Sequence, residues 1–372
     1  MLFVAGLSFT AGLGLGQTPD GATVPAIEQW IGAASGTDMV ISAVLLVIVI
    51  VVASRCPRSR RFQWFVVAIS AFLTARYLFW RGLYTLNTAD PLGLGLSLAV
   101  LAAELYGLGG VLFFYFQIIN PIKRAPKPAD RDRLPTVDVF VTIYNEPIDI
   151  LRRTLVACQA MEYRLERKRV FVLDDGGRAE VRALAAQLGC VYLSRSNRDH
   201  GKAGNLNYAL PQSSGELVLL FDTDHVPVRS FLMETVGHFD DPKVALVQTP
   251  HHFYNPDIFQ RNFRLEDQVI NEQDLFFQVV QPGRDGHNSV FFCGSGGIFR
   301  RRALEEVGGF VTTSVTEDIH TTLLVHAKGY RSIYVNKLLA AGLAPENCAS
   351  YLRQRQRWTR GHIQMFLSKD NP

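Results

Sequence analysis

The uneven distribution of charge along the chain limits the fold more than any other feature. Charged residues make up only 19% of the 372 and hydrophobic residues 48%, and the apolar ones are concentrated at the start. Met39–Ala53 (MVISAVLLVIVIVVA), Phe62–Trp80 and Leu92–Ile119 are long apolar runs with almost no charge inside them. A membrane-crossing helix needs about 20 such residues. Met1–Leu15 is apolar and glycine-rich but short, and lacks the basic start of a signal peptide, so it reads as a weak first span. Residues 1–120 are therefore expected to form a transmembrane region with about four helices.

Loop charges orient these spans. Ser54–Arg61 carries four arginines and Pro121–Arg133 is also basic, whereas Gln17–Asp38 holds Asp20, Glu28 and Asp38 and neither Lys nor Arg. Basic loops stay on the cytoplasmic side. The expectation is a multi-pass protein with everything after Pro121 in the cytoplasm. Glu104, inside the last span, faces either helix neighbours or a polar path.

Past a proline-rich linker, residues 121–135, the pattern changes. Val137–Ile143, Arg169–Leu173, Cys190–Ser194, Leu217–Phe221 and Ala245–Gln248 read as strands, with helical segments ending near Met161 and covering Arg178–Leu188. Alternation of this kind predicts an α/β fold with a mainly parallel, Rossmann-like sheet. No Gly-x-Gly-x-x-Gly follows the first strand, and Gly201-Lys202 lacks the rest of a phosphate-binding loop, since Ser196 and Ala203 stand where Gly and Ser/Thr are needed. A net charge of +4 gives no reason to expect a nucleic-acid partner. The five cysteines show no zinc spacing.

Leu217–Phe221 has the composition of a strand buried on both faces, and it ends in Asp222-Thr223-Asp224-His225. Glu146, Asp174 and Asp175 follow other strands. In a parallel sheet these ends share one edge, where ligands bind. Converging carboxylates need a cation or a proton. Hard oxygen ligands suit Mg²⁺ or Mn²⁺, which in turn hold phosphates. Later come Phe291-Phe292-Cys293-Gly294-Ser295, Thr316-Glu317-Asp318 and Gln354-Arg355-Gln356-Arg357-Trp358, the last in a basic amphipathic helix at 349–372. Phe291 and Trp358 offer flat faces for a sugar or pack in the core. Arg357 can fork onto phosphate oxygens or lie on a solvated or lipid-facing helix surface.

The ordered set Asp174-Asp175-Gly176, Asp222-Thr223-Asp224, Thr316-Glu317-Asp318 and Gln354-x-x-Arg357-Trp358 resembles the processive family 2 glycosyltransferases, and among them the bacterial cellulose synthase catalytic subunits. The resemblance implies a GT-A domain over 136–348, UDP-glucose as donor, a β-1,4-glucan as acceptor, and Mg²⁺ or Mn²⁺ held by Asp222, Asp224 and His225. It puts Thr142, Tyr144, Glu146 and Asp174 at the uridine, with Asp175 in the same donor site. Lys202, Gln354 and Arg357 would contact the diphosphate, and Phe291, Cys293 and Trp358 the acceptor. Asp318 would be the general base; it opens a helical stretch, whose start would hold the carboxylate as the anion and lower its basicity, and the competing reading is that it merely caps that helix. The family also implies the bacterial inner membrane and a periplasmic accessory subunit. Another membrane β-glycan synthase, mannan-like, or a non-catalytic nucleotide- or glucan-binding scaffold are the competing expectations. The family's later spans, gating loop and PilZ domain do not occur before Pro372, so the chain alone is expected to bind UDP without extruding polymer and to ignore cyclic-di-GMP.

Overall fold

The computed structural model describes residues 36–55, 60–122, 124–264, 268–369 and 372. The expected span Met1–Leu15, most of the acidic loop before Asp38 and part of the arginine-rich loop lie outside them. The chain divides into two compact units, Met1–Tyr115 and Phe116–Pro372.

In the first unit the apolar runs are helices: α1 (Gly36–Arg55), α2 (Arg60–Tyr84) and α3 (Pro91–Ile118). Trp64–Tyr84 of α2 and the whole of α3 are long and apolar enough to cross a membrane. At 1.5 Å per residue, α3 would be about 42 Å long, more than a bilayer's hydrocarbon core requires. The start of α3 is written locally: Pro91 occupies the first turn and Asp90 Oδ1 accepts the Gly93 N–H at 2.7 Å. Trp64, Phe65, Phe72 and Phe79 of α2, and Leu92, Leu96 and Phe113 of α3, are all exposed. Apolar surface displayed all along two helices suits lipid as the solvent. Glu104 is held between helices: Arg81 Nε and Tyr77 OH each donate to its carboxylate at 3.0 Å.

The second unit is built on a seven-stranded sheet. Its strands are β1 (Val137–Ile143), β2 (Lys168–Asp174), β3 (Val191–Leu193), β4 (Leu217–Asp222), β6 (Val244–Gln248), β7 (Gly297–Arg300) and β8 (Arg331–Tyr334), in the order β3-β2-β1-β4-β7-β6-β8. A separate antiparallel pair joins β5 (Val226–Pro227) to β9 (Ala340–Ala341). All neighbours in the large sheet are parallel except at β7, which runs against both β4 and β6. The sequence pattern missed β7 because Gly297-Ile298-Phe299-Arg300 is a bare four-residue run straight after a glycine-rich turn.

Side chains of β1 alternate as a strand's must. Val137, Val139 and Val141 enter a core shared with Leu151 and Leu155 of α4 (Ile148–Ala160) and Val181 of α5 (Ala179–Gln187). Phe140 points to the other face, with Phe171, Leu206 of α6 (Gly201–Ala209), Phe292 and Phe299. The register then sets the functional edge: Ile143 lies opposite Asp174 and Thr142 opposite Asp222. Two more helices matter for the site, α7 (Glu317–Ala327) and α8 (Cys348–Leu367). Asn347 caps α8 by accepting the Ser350 N–H at 2.9 Å, and the helix ends at Leu367, short of the expected 372. Residues 121–135 do not hang free of this unit. Ile122 N–H donates to Pro282 O, Arg124 pairs with buried Asp285 at 2.5 Å, and Ala129 N–H donates to Met233 O.

Candidate active site

The strand ends bring Asp222, Asp224 and His225 together, with one ligand atom from each lying within 4.8 Å of the others. Asp222 is fixed by its neighbours: Thr142 Oγ1 donates to it at 3.5 Å, its own N–H donates to Ser295 Oγ at 3.1 Å, and Lys202 Nζ is ion-paired with Oδ1. Asp224 meets His225 Nδ1 at 3.1 Å and accepts the Leu343 N–H at 3.2 Å. His225 Nε2 is buried without a hydrogen-bond partner. Two carboxylates and an imidazole with an unengaged nitrogen fit a divalent ion, Mn²⁺ as readily as Mg²⁺. Burial works against ionising Asp224, but His225 and backbone N–H groups outweigh it and hold the carboxyl below its usual range. Burial likewise disfavours charge on His225, yet Asp224 and Asp222 raise its pKa. A cation there would do the work of that proton. The neighbouring ring of His251 is pushed down to about 3 by burial and by the charge of His225, so it is neutral and its Nε2–H donates to Ser295 O at 2.9 Å.

On one side of this cluster lie the proposed uridine residues. Glu146 accepts the Tyr144 N–H at 2.8 Å, which shapes the turn after β1. Tyr144 is half exposed, with the Arg198 guanidinium 5.3 Å over its ring. Asp174 is fully buried and accepts from Gly176 N–H and Arg178 N–H, both at 2.8 Å, and from Tyr192 OH at 3.0 Å. Asp175 gives both oxygens to Arg195.

On the other side stands the head of α7. Thr316 is the residue before the helix, and its side chain makes no capping bond. Asp318 is therefore inside the first turn and is not the cap; its Oδ1 accepts the Ile319 N–H at 2.9 Å. The expected stabilisation of its anion by the helix start loses to a larger effect. Burial, and then the adjacent Glu317 carboxylate, push the Asp318 carboxyl up to about 7. Burial raises Glu317 as well. The gap between the two sides is closed by Gly294. With φ at 86° it occupies a conformation glycine favours, and a Cβ there would lie 3.4 Å from Asp318 Oδ2 and 3.8 Å from Lys202 Nζ. Lys202 Nζ also donates to Gly294 O at 2.7 Å. Burial opposes its charge, but Asp222, Glu317 and Asp318 together hold its pKa above the ordinary value.

The Phe291–Ser295 stretch forms the floor. Cys293 is a neutral thiol, its pKa raised by burial and by Asp318, and its sulfur accepts from Gln281 Nε2 at 3.0 Å. Phe291 is partly buried under the Arg284 guanidinium, 4.7 Å from its ring. Gln248, which sequence reasoning missed, organises the stretch. Its Oε1 accepts the Cys293 N–H at 3.0 Å and its Nε2 donates to Ser295 O at 2.9 Å. A polar residue closing a strand as apolar as Val244–Val247 was the available signal. On α8, Gln354 Oε1 is buried without a partner, Arg357 is exposed, and Trp358 sits 4.3 Å beneath the Arg355 guanidinium. Arg355 pairs with Glu272, which ties the helix to the loop after β6. Gly361 seats α8 against Thr316, where a Cβ would overlap the threonine side chain.

A family model described as glycosyltransferase like family 2 matches residues 135–361, most of the second unit. The chain belongs to this glycosyltransferase family. Among similar family members, Cellulose synthase 1 of Komagataeibacter xylinus is 44% identical over 90% of this chain and 22% of its own length. The UDP-forming cellulose synthase catalytic subunit of Xanthomonas axonopodis pv. citri is 41% identical over 90% of this chain and 46% of its own. The chain thus spans less than half the length of these curated relatives. A mannosyltransferase from Pyrobaculum calidifontis, solved in complex with GDP-Man and Mn2+, superposes with a TM-score of 0.55 at 23% identity. That match covers 73% of this chain and 76% of the other, and shows the GT-A fold.

Proposed function

We propose that this glycosyltransferase is the membrane and catalytic part of a processive, inverting β-1,4-glucan synthase that uses UDP-glucose. The observation that carries the reading is the pairing of a basic Asp318, with its carboxyl near 7, against the acidic metal cluster across Gly294. The similarity to UDP-forming cellulose synthases supports the choice of donor. A non-catalytic scaffold would have no use for a carboxyl tuned to accept a proton near neutral pH.

A divalent ion held by Asp222, Asp224 and His225 would supply positive charge against the leaving diphosphate. In this reading Lys202, Gln354 and Arg357 bind the diphosphate, and Thr142, Tyr144, Glu146 and Asp174 hold the uridine. Phe291, Cys293 and Trp358 orient the terminal glucose of the acceptor. Asp318 takes the proton of the acceptor 4-hydroxyl as that oxygen attacks the anomeric carbon opposite the bond to UDP. One such displacement converts an α-linked donor into a β link. The domain division is 1–120 for the membrane region, 121–135 for the connection, 136–347 for the catalytic fold and Cys348–Leu367 for the interfacial helix. α2 and α3 suggest membrane association; several passes through a bacterial inner membrane, a cytoplasmic site, lipid under the exposed Leu352, Ile363, Phe366 and Leu367 of α8, and a periplasmic accessory subunit complete the proposal.

The test is UDP release by the full-length protein in bilayers, offered UDP-glucose, UDP-N-acetylglucosamine, UDP-galactose and GDP-mannose in turn. Release with UDP-glucose alone, accompanied by a product sensitive to a β-1,4-glucanase, is the expected result. Turnover of another donor, or none, would refute the substrate assignment.

A further inference from the structure

We propose that Asp175 and Arg195 are a positioning pair that sets the turn Arg198–Gly201 and thereby aims Lys202 into the diphosphate pocket. The proposal rests on the reading of Lys202 as a diphosphate contact.

The pair begins at a rigid point. Asp175 follows β2, and its N–H donates to Ile143 O at the end of β1, at 3.0 Å. Both its oxygens are taken by one guanidinium, from Arg195 Nε at 2.6 Å and NH2 at 2.8 Å. The two side chains are only 10% and 6% exposed. A carboxylate engaged in this way has its best acceptor directions committed to the protein, which removes Asp175 from direct contact with the donor.

The outer edge of the same guanidinium reaches the turn. NH1 donates to Asp199 O and NH2 to Gly201 O, each at 2.8 Å. Between those carbonyls the backbone is unusual: His200 has φ 60° and Gly201 φ 50°, two successive left-handed residues, the first of them not glycine. A turn of this kind persists only where its surroundings hold it. Gly204, one turn into α6, has no room for a Cβ because Asp199 O and Arg195 already occupy the space. The residue after the turn is Lys202, whose amine lies between Asp222 and Gly294 O. Arginine is needed rather than lysine, since only a planar fork addresses a carboxylate on one edge and two carbonyls on the other.

The experiment uses the full chain in detergent, with Asp175→Asn and Arg195→Lys, each alone and combined with Lys202→Ala. The first measurement is amide exchange without nucleotide. The amides of Lys202–Asn205 should exchange about tenfold faster or more in both single variants, while those of β1 and β4 stay as in the parent. Unchanged exchange in that turn, or equal acceleration in the strands, overturns the positioning role. The second is UDP affinity with Mg²⁺ present. Each single variant should weaken UDP about tenfold when Lys202 is present and less than about twofold on the Lys202→Ala background, the non-additivity of groups acting through one another. Additive losses would make Asp175 a donor ligand in its own right and sink the proposal. A parent that binds no UDP, or a Lys202→Ala variant that binds it undiminished, would instead refute the role given to Lys202, and amide exchange alone would then decide the pair.

Discussion

Asp174, fully buried, and Asp318, partly buried, are both carboxyls at the ends of regular elements, and their surroundings differ in kind. Asp174 ends a strand and meets two backbone N–H groups and a tyrosine hydroxyl. Asp318 begins a helix with one backbone N–H and another carboxylate beside it. Hydrogen bonds on every side make a carboxyl a fixture of the structure, whereas burial beside a like charge makes one reactive toward protons. On the proposed reading, the donor side of this site is for placement and the head of α7 for proton transfer.

The largest expected effect breaks that contrast directly. Asp318→Asn should leave UDP binding intact and lower glucosyl transfer by about 10²–10⁴-fold, the usual worth of a general base. Comparing transfer rates with UDP affinity in the full-length enzyme checks it, and near-normal transfer would put Asp318 back among structural residues. Next is Asp224→Ala. Chelating Mg²⁺ should weaken UDP binding to the parent about 10–100-fold and hardly affect the variant, as for a removed metal ligand. A variant as sensitive to chelation as its parent would show that Asp224 holds no ion.

Gly361→Ala probes how the head of α7 is held. Overpacking against Thr316 should destabilise the α8 seat by about 1–3 kcal/mol and lower transfer more than UDP affinity. Thermal unfolding and kinetics on one preparation test this. The smallest effect is on pH. Asp318 must be ionised to act, so transfer should rise with pH through about 7. Glu317→Gln removes the neighbouring negative charge and should move this rise to lower pH, by up to about one unit. Stability follows the opposite sign. A carboxyl raised by folding favours the folded state below its unfolded pKa, and that advantage is lost as pH climbs through about 7. A rise that stays put in Glu317→Gln would mean the two carboxyls do not interact.

Much of this was legible in the residues, for identifiable reasons. Leu217–Phe221 could hardly be other than a central strand, and Asp222 and Asp224 then had to emerge at the edge where ligands bind. Three-residue β3 and four-residue β7 offered too little periodicity to fix their ends or direction. Gln281 and Arg195 left no pattern, because their importance lies in partners 12 and 20 residues away, and Gln248 left only a polar end to an apolar strand, its partner being 45 residues off. The protonation of Asp318 was misread for a related reason: a helix N-terminus is visible in sequence, but the burial that overrides it comes from tertiary packing.

The seat of α8 has a mechanical meaning. Gly361, three residues after Trp358, rests on Thr316, two residues before Asp318. Leu352, Ile363, Phe366 and Leu367 of the same helix are exposed. α8 and the head of α7 are joined by the contact of Gly361 with Thr316 and by the Val315 N–H, which donates to Gln364 Oε1 at 3.1 Å. A tilt or slide of α8 would thus be felt at the head of α7 as well as at Glu272, to which Arg355 ties the helix.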